Sequence, residues 1–389
     1  MPWRETKVHE QRLAFVVAAQ RAGANRRALC REFGISPQTG YKWLARTTAE
    51  GVLAGMHERS RRPHHSPAQI APALEAAIVA MRREYGWAGR KLQPLLATAG
   101  WHCSPATIDR VIRRQGLTDP DEQHAAAPHR FEAPHPNALW QMDFKGQYPV
   151  QDGWSYPLSV LDDHSRFAVA LAALPSTRGA LVRAVLRQCL ETYGVPDAIL
   201  CDHGAPWWHT GAGHGLTRVA VFLLEQDIEL RHGRIAHPQT QGKVERFHRT
   251  LARRLRQWGV PTASADFPPT LARFRTEYNE VRPHAALGQC PPAQRYYPSA
   301  RAFVPVPVPW IYPATQQVLR VNANGELAYA GRRYFVCDAL ATKWVGCQPI
   351  GDRVLVGFRQ TYVRELDLTT GRSVPLLRPM RIPQASAMS

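Results

Sequence analysis

Acidic side chains are the scarce class in this sequence. Asp and Glu number 31 against 49 Lys and Arg, a formal charge of +18 over 389 residues. Such a balance, spread along the whole chain, suits a polyanionic partner better than a basic one. Cysteine is sparse too: Cys30, Cys103, Cys189, Cys201, Cys290, Cys337 and Cys347 include no close pair and no Cys-x-x-Cys. That pattern argues against a disulfide framework and, despite 16 histidines, against structural zinc. No apolar run approaches the roughly 18 residues a membrane span needs, and the N-terminus has no signal-peptide pattern. A cytoplasmic, nucleoid-associated protein with no membrane partner is the expectation. An apolar content of 44% argues for folded domains, and the length implies two to four of them.

The first 56 residues read as helices. A helix over 9–22 would bury Leu13, Val16 and Val17; a second spans 26–33; Ser36-Pro37 then opens a third that runs to Arg46. Helix, glycine-containing turn and helix form the helix-turn-helix pattern, whose second helix enters the major groove. Gln38, Thr39, Lys42 and Arg46 are the candidate DNA contacts there, Tyr41 is ambiguous, and Trp43 and Leu44 look like core. A plain three-helix bundle is the alternative. Residues 57–67 form a basic connector in which Arg61 and Arg62 suit phosphate or minor-groove contact. Residues 68–117 repeat the plan, with helices over 73–85 and 89–99 and a third opened by Ser104-Pro105 that carries Arg110 and Arg113. Two modules on one linker would gain affinity through effective concentration.

After a linker at 118–136, residues 137–297 read as strand, strand, strand, helix, strand, helix, strand, helix, the order of a ribonuclease-H-like α/β core. Asp143 and Asp202 each end an apolar β-like run. Glu245 opens a periodic helix with Val244, Phe247, Leu251 and Leu255 on one face. Carboxylates placed so can converge, and hard oxygen ligands that leave room for phosphate suit Mg²⁺ or Mn²⁺. Asp162 and Asp163 look metal-like but fit a hairpin turn better. His248 reads as a polar surface group rather than a proton carrier, and Trp207-Trp208 as core rather than a platform for an unpaired base. Lys243, Arg246 and Arg249 could clamp a DNA end, and His237 and Gln239 could shape its approach. Residues 298–313 form a Pro-rich linker, and 314–375 alternate as a small β-barrel, for DNA or subunit contact.

Several of these motifs together resemble the DDE transposases of bacterial insertion sequences, relatives of the retroviral integrases. They are Trp140-Gln-Met-Asp143-Phe, Leu161-Asp-Asp-His-Ser-Arg166, Asp202-His-Gly204, His237-Pro-Gln-Thr-Gln-Gly-Lys-Val-Glu245-Arg and Tyr278-Asn-Glu-Val-Arg282-Pro-His284. Thr39-Gly-Tyr-Lys-Trp43-Leu and Arg59-Ser-Arg-Arg-Pro63-His extend the likeness to the N-terminal part. The resemblance implies that Asp143, Asp202 and Glu245 are catalytic ligands of two divalent ions. It also implies 3′-end cleavage and strand transfer, terminal inverted repeats and target duplex as DNA partners, and a homo-oligomer on DNA. Two features depart from the pattern. The 42 residues between Asp202 and Glu245 exceed the usual spacing, the excess falling in 207–216, and Ala252 stands where one branch has a basic residue, a place Arg249 could take. A non-catalytic DNA-binding regulator derived from a transposase and a ribonuclease H-type nuclease are the rival readings.

Overall fold

The computed structural model describes residues 8–59, 70–119, 131–202, 204–209, 215–232 and 242–382. Arg61, Arg62, His237 and Gln239 lie outside them. Residues 1–71 form one compact unit and 72–389 another.

In the first unit, α1 (Val8–Ala19), α2 (Arg26–Glu32), α3 (Pro37–Glu50) and the short α4 (Val52–Gly55) follow in order. Ser36 caps α3 by accepting from Thr39 N, with Pro37 at the first helical position. The expected buried face of α1 is rotated. Phe15, Val16 and Ala19 are buried, whereas Leu13 and Val17 are exposed. Apolar residues lie around much of α1, so periodicity does not choose a face. Phe15 wins because its ring packs edge-on against Phe33, at 5.7 Å between centroids. Gly40 in mid-α3 has a packing reason: a Cβ there would sit 2.5 Å from Cys30 Sγ and 2.8 Å from Phe15 Cζ. Only a glycine lets α3 close on α1 and α2.

The second unit opens with α5 (Pro72–Tyr85), α6 (Gly89–Thr98) and α7 (Pro105–Arg114), capped by Ser104 in the manner of α3. The central sheet comprises β1 (Trp140–Phe144), β2 (Tyr148–Val150), β3 (Gly153–Asp162), β4 (Ala168–Leu174), β5 (Ala198–Cys201) and β8 (Glu229–His232). Between them run α8 (Gly179–Tyr193), the hairpin β6 (Trp208–His209) and β7 (Gly215–Leu216), and α9 (Arg218–Glu225). The order is β4-β3-β1-β5-β8, with β2 pairing the start of β3; β3 is antiparallel to β1 and β4, while β1, β5 and β8 are parallel. This is the ribonuclease-H-like core expected from the order of elements. The surplus stretch after Asp202 is the β6–β7 hairpin, whose Trp207 and Trp208 are buried.

One face of the sheet, with Trp140 and Met142, packs on α8 and α9. The other packs on α10 (Gly242–Trp258) and α11 (Phe267–Thr276) through Phe247, Leu251, Leu255 and Phe274. Each such buried side chain contributes about 1.5–3 kcal/mol. A π-turn over Glu277–Val281 follows, presenting Asn279 to Ala168: its Oδ1 accepts from Ala168 N at 2.8 Å and its Nδ2 donates to Ala168 O at 3.1 Å. The amide fills the place where the β3–β4 ladder slips.

The Pro-rich segment is a strap rather than a free linker. Ser299 N donates to Tyr193 O, and the Arg301 guanidinium to the carbonyls of Pro196, Gln226 and Asp227. Beyond it lie β9 (Gln317–Arg320), β10 (Glu326–Tyr329), β11 (Arg332–Phe335), β12 (Trp344–Ile350), β13 (Arg353–Phe358), β14 (Thr361–Asp367) and β15 (Ser373–Arg381). They form a C-terminal antiparallel sheet in the order β15-β14-β13-β12-β9 with a β10–β11 hairpin. Its buried side shares one apolar cluster with the α8–α9 face of the core. No described helix is long and apolar enough to cross a membrane.

Gly40→Val tests the packing of the first unit. Overfilling this contact should cost about 1–3 kcal/mol, read as faster hydrogen exchange of the α1–α3 amides with the second unit unchanged. Unaltered exchange would mean that the contact has room to give.

A candidate metal centre at the edge of the central sheet

Strand register brings two of the acids together. Gln141 on β1 lies beside Leu200 on β5. The pairing stops there; Asp143 lies two residues further along β1 and Asp202 just past the end of β5, so the same register continued would set both side chains on one face. That face is the one α10 covers. Val244 N donates to Gln141 Oε1 at 3.3 Å, which places Glu245, the next residue, in the first turn over the end of β1. Asp202 and Glu245 are exposed and Asp143 is half-buried.

The electrostatics report the convergence. Burial and then the charge of Asp202 push the Asp143 carboxyl up to about 6, with Glu245 adding to the rise; a bond from Phe144 N at 2.8 Å pulls the other way. Asp202 is held by Gly204 N at 3.0 Å, and a Cβ on Gly204 would stand 3.3 Å from both carboxylate oxygens. His248, one turn beyond Glu245, is buried rather than at the surface. Its Nε2 meets Ser159 Oγ at 2.9 Å, and Ser159 is the register partner of Asp143. Its Nδ1 stands 3.7 Å from Asp143 Oδ2, but burial, with Lys145, pushes the imidazole down to about 3. The contact is therefore a neutral ring beside a carboxyl, not an ion pair.

A buried network fixes this edge of the sheet. Asp163, fully buried, accepts from Gln141 Nε2 at 2.7 Å and Ala133 N at 2.7 Å, and pairs with Lys243 Nζ. Burial lowers Lys243 to about 8, while the bond from Asp163 opposes the fall. Asp162 accepts from Asn137 N, Ser165 N and Ser165 Oγ at 2.6–2.8 Å. Asp162 thus shapes the turn, as the sequence suggests, whereas the Asp163 side chain bonds outside it, to β1, α10 and the backbone at Ala133. Gln141, Ser159 and Asn279 escape a search for charged motifs because each acts through a neutral group.

The expected DNA-contact positions divide. Gln38 and Lys42 are exposed on α3, and Arg110 and Arg113 on α7. Thr39 is partly occupied in the helix cap, its Oγ1 2.9 Å from Ser36 Oγ. Arg46 and Lys42 lie over the Trp43 ring at 5.2 and 5.1 Å, beside Arg12 at 4.2 Å. Lys243 is tied to Asp163, which leaves Arg246 and Arg249 as the exposed cations next to Glu245.

Comparison with known proteins adds the lineage. Two profiles described as "Integrase core domain" match residues 133–238 and 226–292, a helix-turn-helix domain matches 11–64, and a homeodomain-like domain matches 39–112. This chain carries an integrase core behind helix-turn-helix domains. It is 26% identical over 252 residues to an uncharacterized 39.2 kDa protein of insertion element IS476 from Xanthomonas euvesicatoria, covering 62% of this chain and 70% of that protein. A 31.7 kDa protein of insertion element IS407 from Burkholderia multivorans is 24% identical, covering 63% and 86%. The Gag-Pol polyprotein of baboon endogenous virus is 26% identical over 141 residues, 36% of this chain and 8% of the polyprotein. The solved catalytic core of HTLV-2 integrase, in complex with magnesium, is 14% identical, with a TM-score of 0.34 over 43% of this chain and all of that one. A likeness that slight adds nothing to the site. The integrase core is thus homologous to insertion-element proteins and retroviral integrase-like proteins.

The donor set fits a hard divalent cation. It is all carboxylate oxygen, and Asp143 carries unrelieved repulsion from its acidic neighbours that such a cation would remove. Among the described residues, no group of three or more His, Cys, Asp or Glu is gathered closely enough to hold a metal ion.

Two outcomes follow. Lys243→Met strips the cation from buried Asp163 and should cost about 3–5 kcal/mol in a urea titration, most of it recovered by adding Asp163→Asn; no loss would remove the pair from the scaffold. Asp143 keeps a proton when folded, up to about pH 6, that the unfolded chain has already lost. Its stabilisation is therefore present at acid pH and is lost as pH rises through about 6. Asp143→Asn should flatten that limb. It should also abolish stabilisation by Mn²⁺, which in the wild type would reach about 2.7 kcal/mol at a hundredfold excess over Kd.

Proposed function

We propose that this chain is a DNA transposase that binds the ends of its element, cleaves at their 3′ ends in a divalent-metal-dependent reaction and joins them to target DNA. The observation that carries the reading is the pairing of β1 with β5 beneath the first turn of α10, which supports Asp143, Asp202 and Glu245 as one site; burial and the charges of Asp202 and Glu245 raise the Asp143 carboxyl accordingly. Asp143, Asp202 and Glu245 would hold Mg²⁺ or Mn²⁺, two ions in all. Bound there, the ions supply the positive charge that activates an attacking hydroxyl and stabilises the phosphoryl oxygens.

The chain's own residues prepare that site. The Asp163 network holds the first turn of α10 over β1, which would present Glu245 towards Asp143. Gly204 keeps space beside Asp202. Arg246 and Arg249 offer cations on the exposed face next to Glu245 for the phosphates of a DNA end. Gln38, Lys42, Arg110 and Arg113, on helices that open with the same Ser-Pro cap, would read terminal inverted repeats. Joining two ends to one target requires two catalytic edges, hence a homo-oligomer on DNA.

Asp143→Asn, Asp202→Asn and Glu245→Gln should each lower Mg²⁺-dependent nicking of an end-bearing duplex by about 10³-fold or more, with unchanged gel-shift affinity. A variant that still cuts at the wild-type rate removes its residue from the site. A wild type that binds ends and nicks in neither Mg²⁺ nor Mn²⁺ is a regulator instead, and one that cuts RNA–DNA hybrids without strand transfer is a ribonuclease H-type nuclease.

A further inference from the structure

The α8–α9 face of the core, on the side of the sheet away from α10, carries a groove with a cavity of 480 Å³. Its floor is α8 and α9, and its far wall is the strap at Pro305 and Pro307 with the start of the C-terminal sheet domain. Arg183 and Arg187 stand one turn apart on α8, and Arg218 is the first residue of α9. All three are exposed, and among the described residues none has a carboxylate partner. Arg187 lies over Phe222 at 5.9 Å and Phe303 at 5.6 Å, so its planar cation is braced by two rings while its N–H edge stays available. Lys343, the fourth cation, is neutralised by Glu225 at 2.5 Å. Three guanidiniums then face one further carboxylate, Asp338. A cluster of forked donors in excess of carboxylates, over apolar walls, matches phosphodiester oxygens with deoxyribose between them.

One end of the groove lies near the loop that follows Asp202, on the opposite face of the sheet from the carboxylates. A Cβ on Gly179, the first residue of α8, would lie 3.9 Å from Pro206 Cβ, in the loop that follows Asp202, and 3.1 Å from Val219 on α9. Arg183 and Arg218 therefore sit within about one helical turn, 5.4 Å of rise, of that junction.

We propose that this groove binds the phosphodiester backbone of duplex DNA, a contact separate from both the carboxylate edge and the helix-turn-helix modules; it rests on the transposase reading for its ligand. The test uses the full chain and a duplex that lacks any element end, in EDTA, so that it needs neither metal nor cleavage. Arg183→Ala/Arg187→Ala/Arg218→Ala should flatten the plot of log K against log salt by about 2–3, with an unchanged melting temperature. Arg187→Lys, which keeps the charge but loses the planar brace, should keep the slope and lower the affinity severalfold. An unchanged slope in the triple variant overturns the proposal. So does calorimetric binding of free inorganic phosphate to the wild-type groove without any effect of the triple variant on the duplex slope. Loss of slope with an inert Asp143→Asn series would sink the metal centre and spare the groove.

Discussion

The site depends on one buried carboxylate, Asp163. It lies at no acid of the proposed metal centre, yet it grips three parts of the chain: Gln141 two residues before Asp143, Lys243 two residues before Glu245, and the backbone at Ala133. A charge removed from water so completely is tolerable only when cation and hydrogen bonds surround it. The same requirement makes it a registering device. Sliding α10 along β1 would leave the carboxylate unpaired, so the first turn of α10, with Glu245 in it, stays over the end of β1. Repulsion among the acids is then sustained by bonds made one layer beneath them.

At its other end α10 grips the second helical domain. Arg254, buried, donates to Glu84 O at the end of α5 and to the Glu277 carboxylate, and stacks on Trp258; Gln257 Nε2 donates to Arg83 O at 2.9 Å. Arg253 adds bonds to Gly86 O and Asp119. One helix thus carries Glu245 in its first turn and holds the domain of α7 with its last turns. The placement of α7 relative to the carboxylates is set by packing rather than by a tether, whereas residues 1–71 fold as a unit of their own.

Much of this was legible in the sequence because charge and periodicity announce themselves. The Ser-Pro caps of α3 and α7, the strand-ending Asp143 and Asp202, and the one-faced α10 all stand where the pattern places them. The face of α1 was not legible, because apolar residues on several sides leave the choice to Phe33 and Gly40 across the interface. His248 was misread as a surface group for a related reason. Its polarity suits water, but the Ser159 hydroxyl lies beneath it, and one sequence does not show a tertiary partner on a strand so far away. The Pro-rich strap reads as a spacer until the carbonyls that Arg301 satisfies are seen.

The central claim is that three distant carboxylates form one binding site for divalent cations. Anomalous scattering from crystals grown with Mn²⁺ tests it most directly. A peak ligated by Asp143 together with Asp202 or Glu245, absent in Asp143→Asn crystals, is the predicted result. A peak held elsewhere, or none at a Mn²⁺ concentration that supports cleavage in solution, would contradict it.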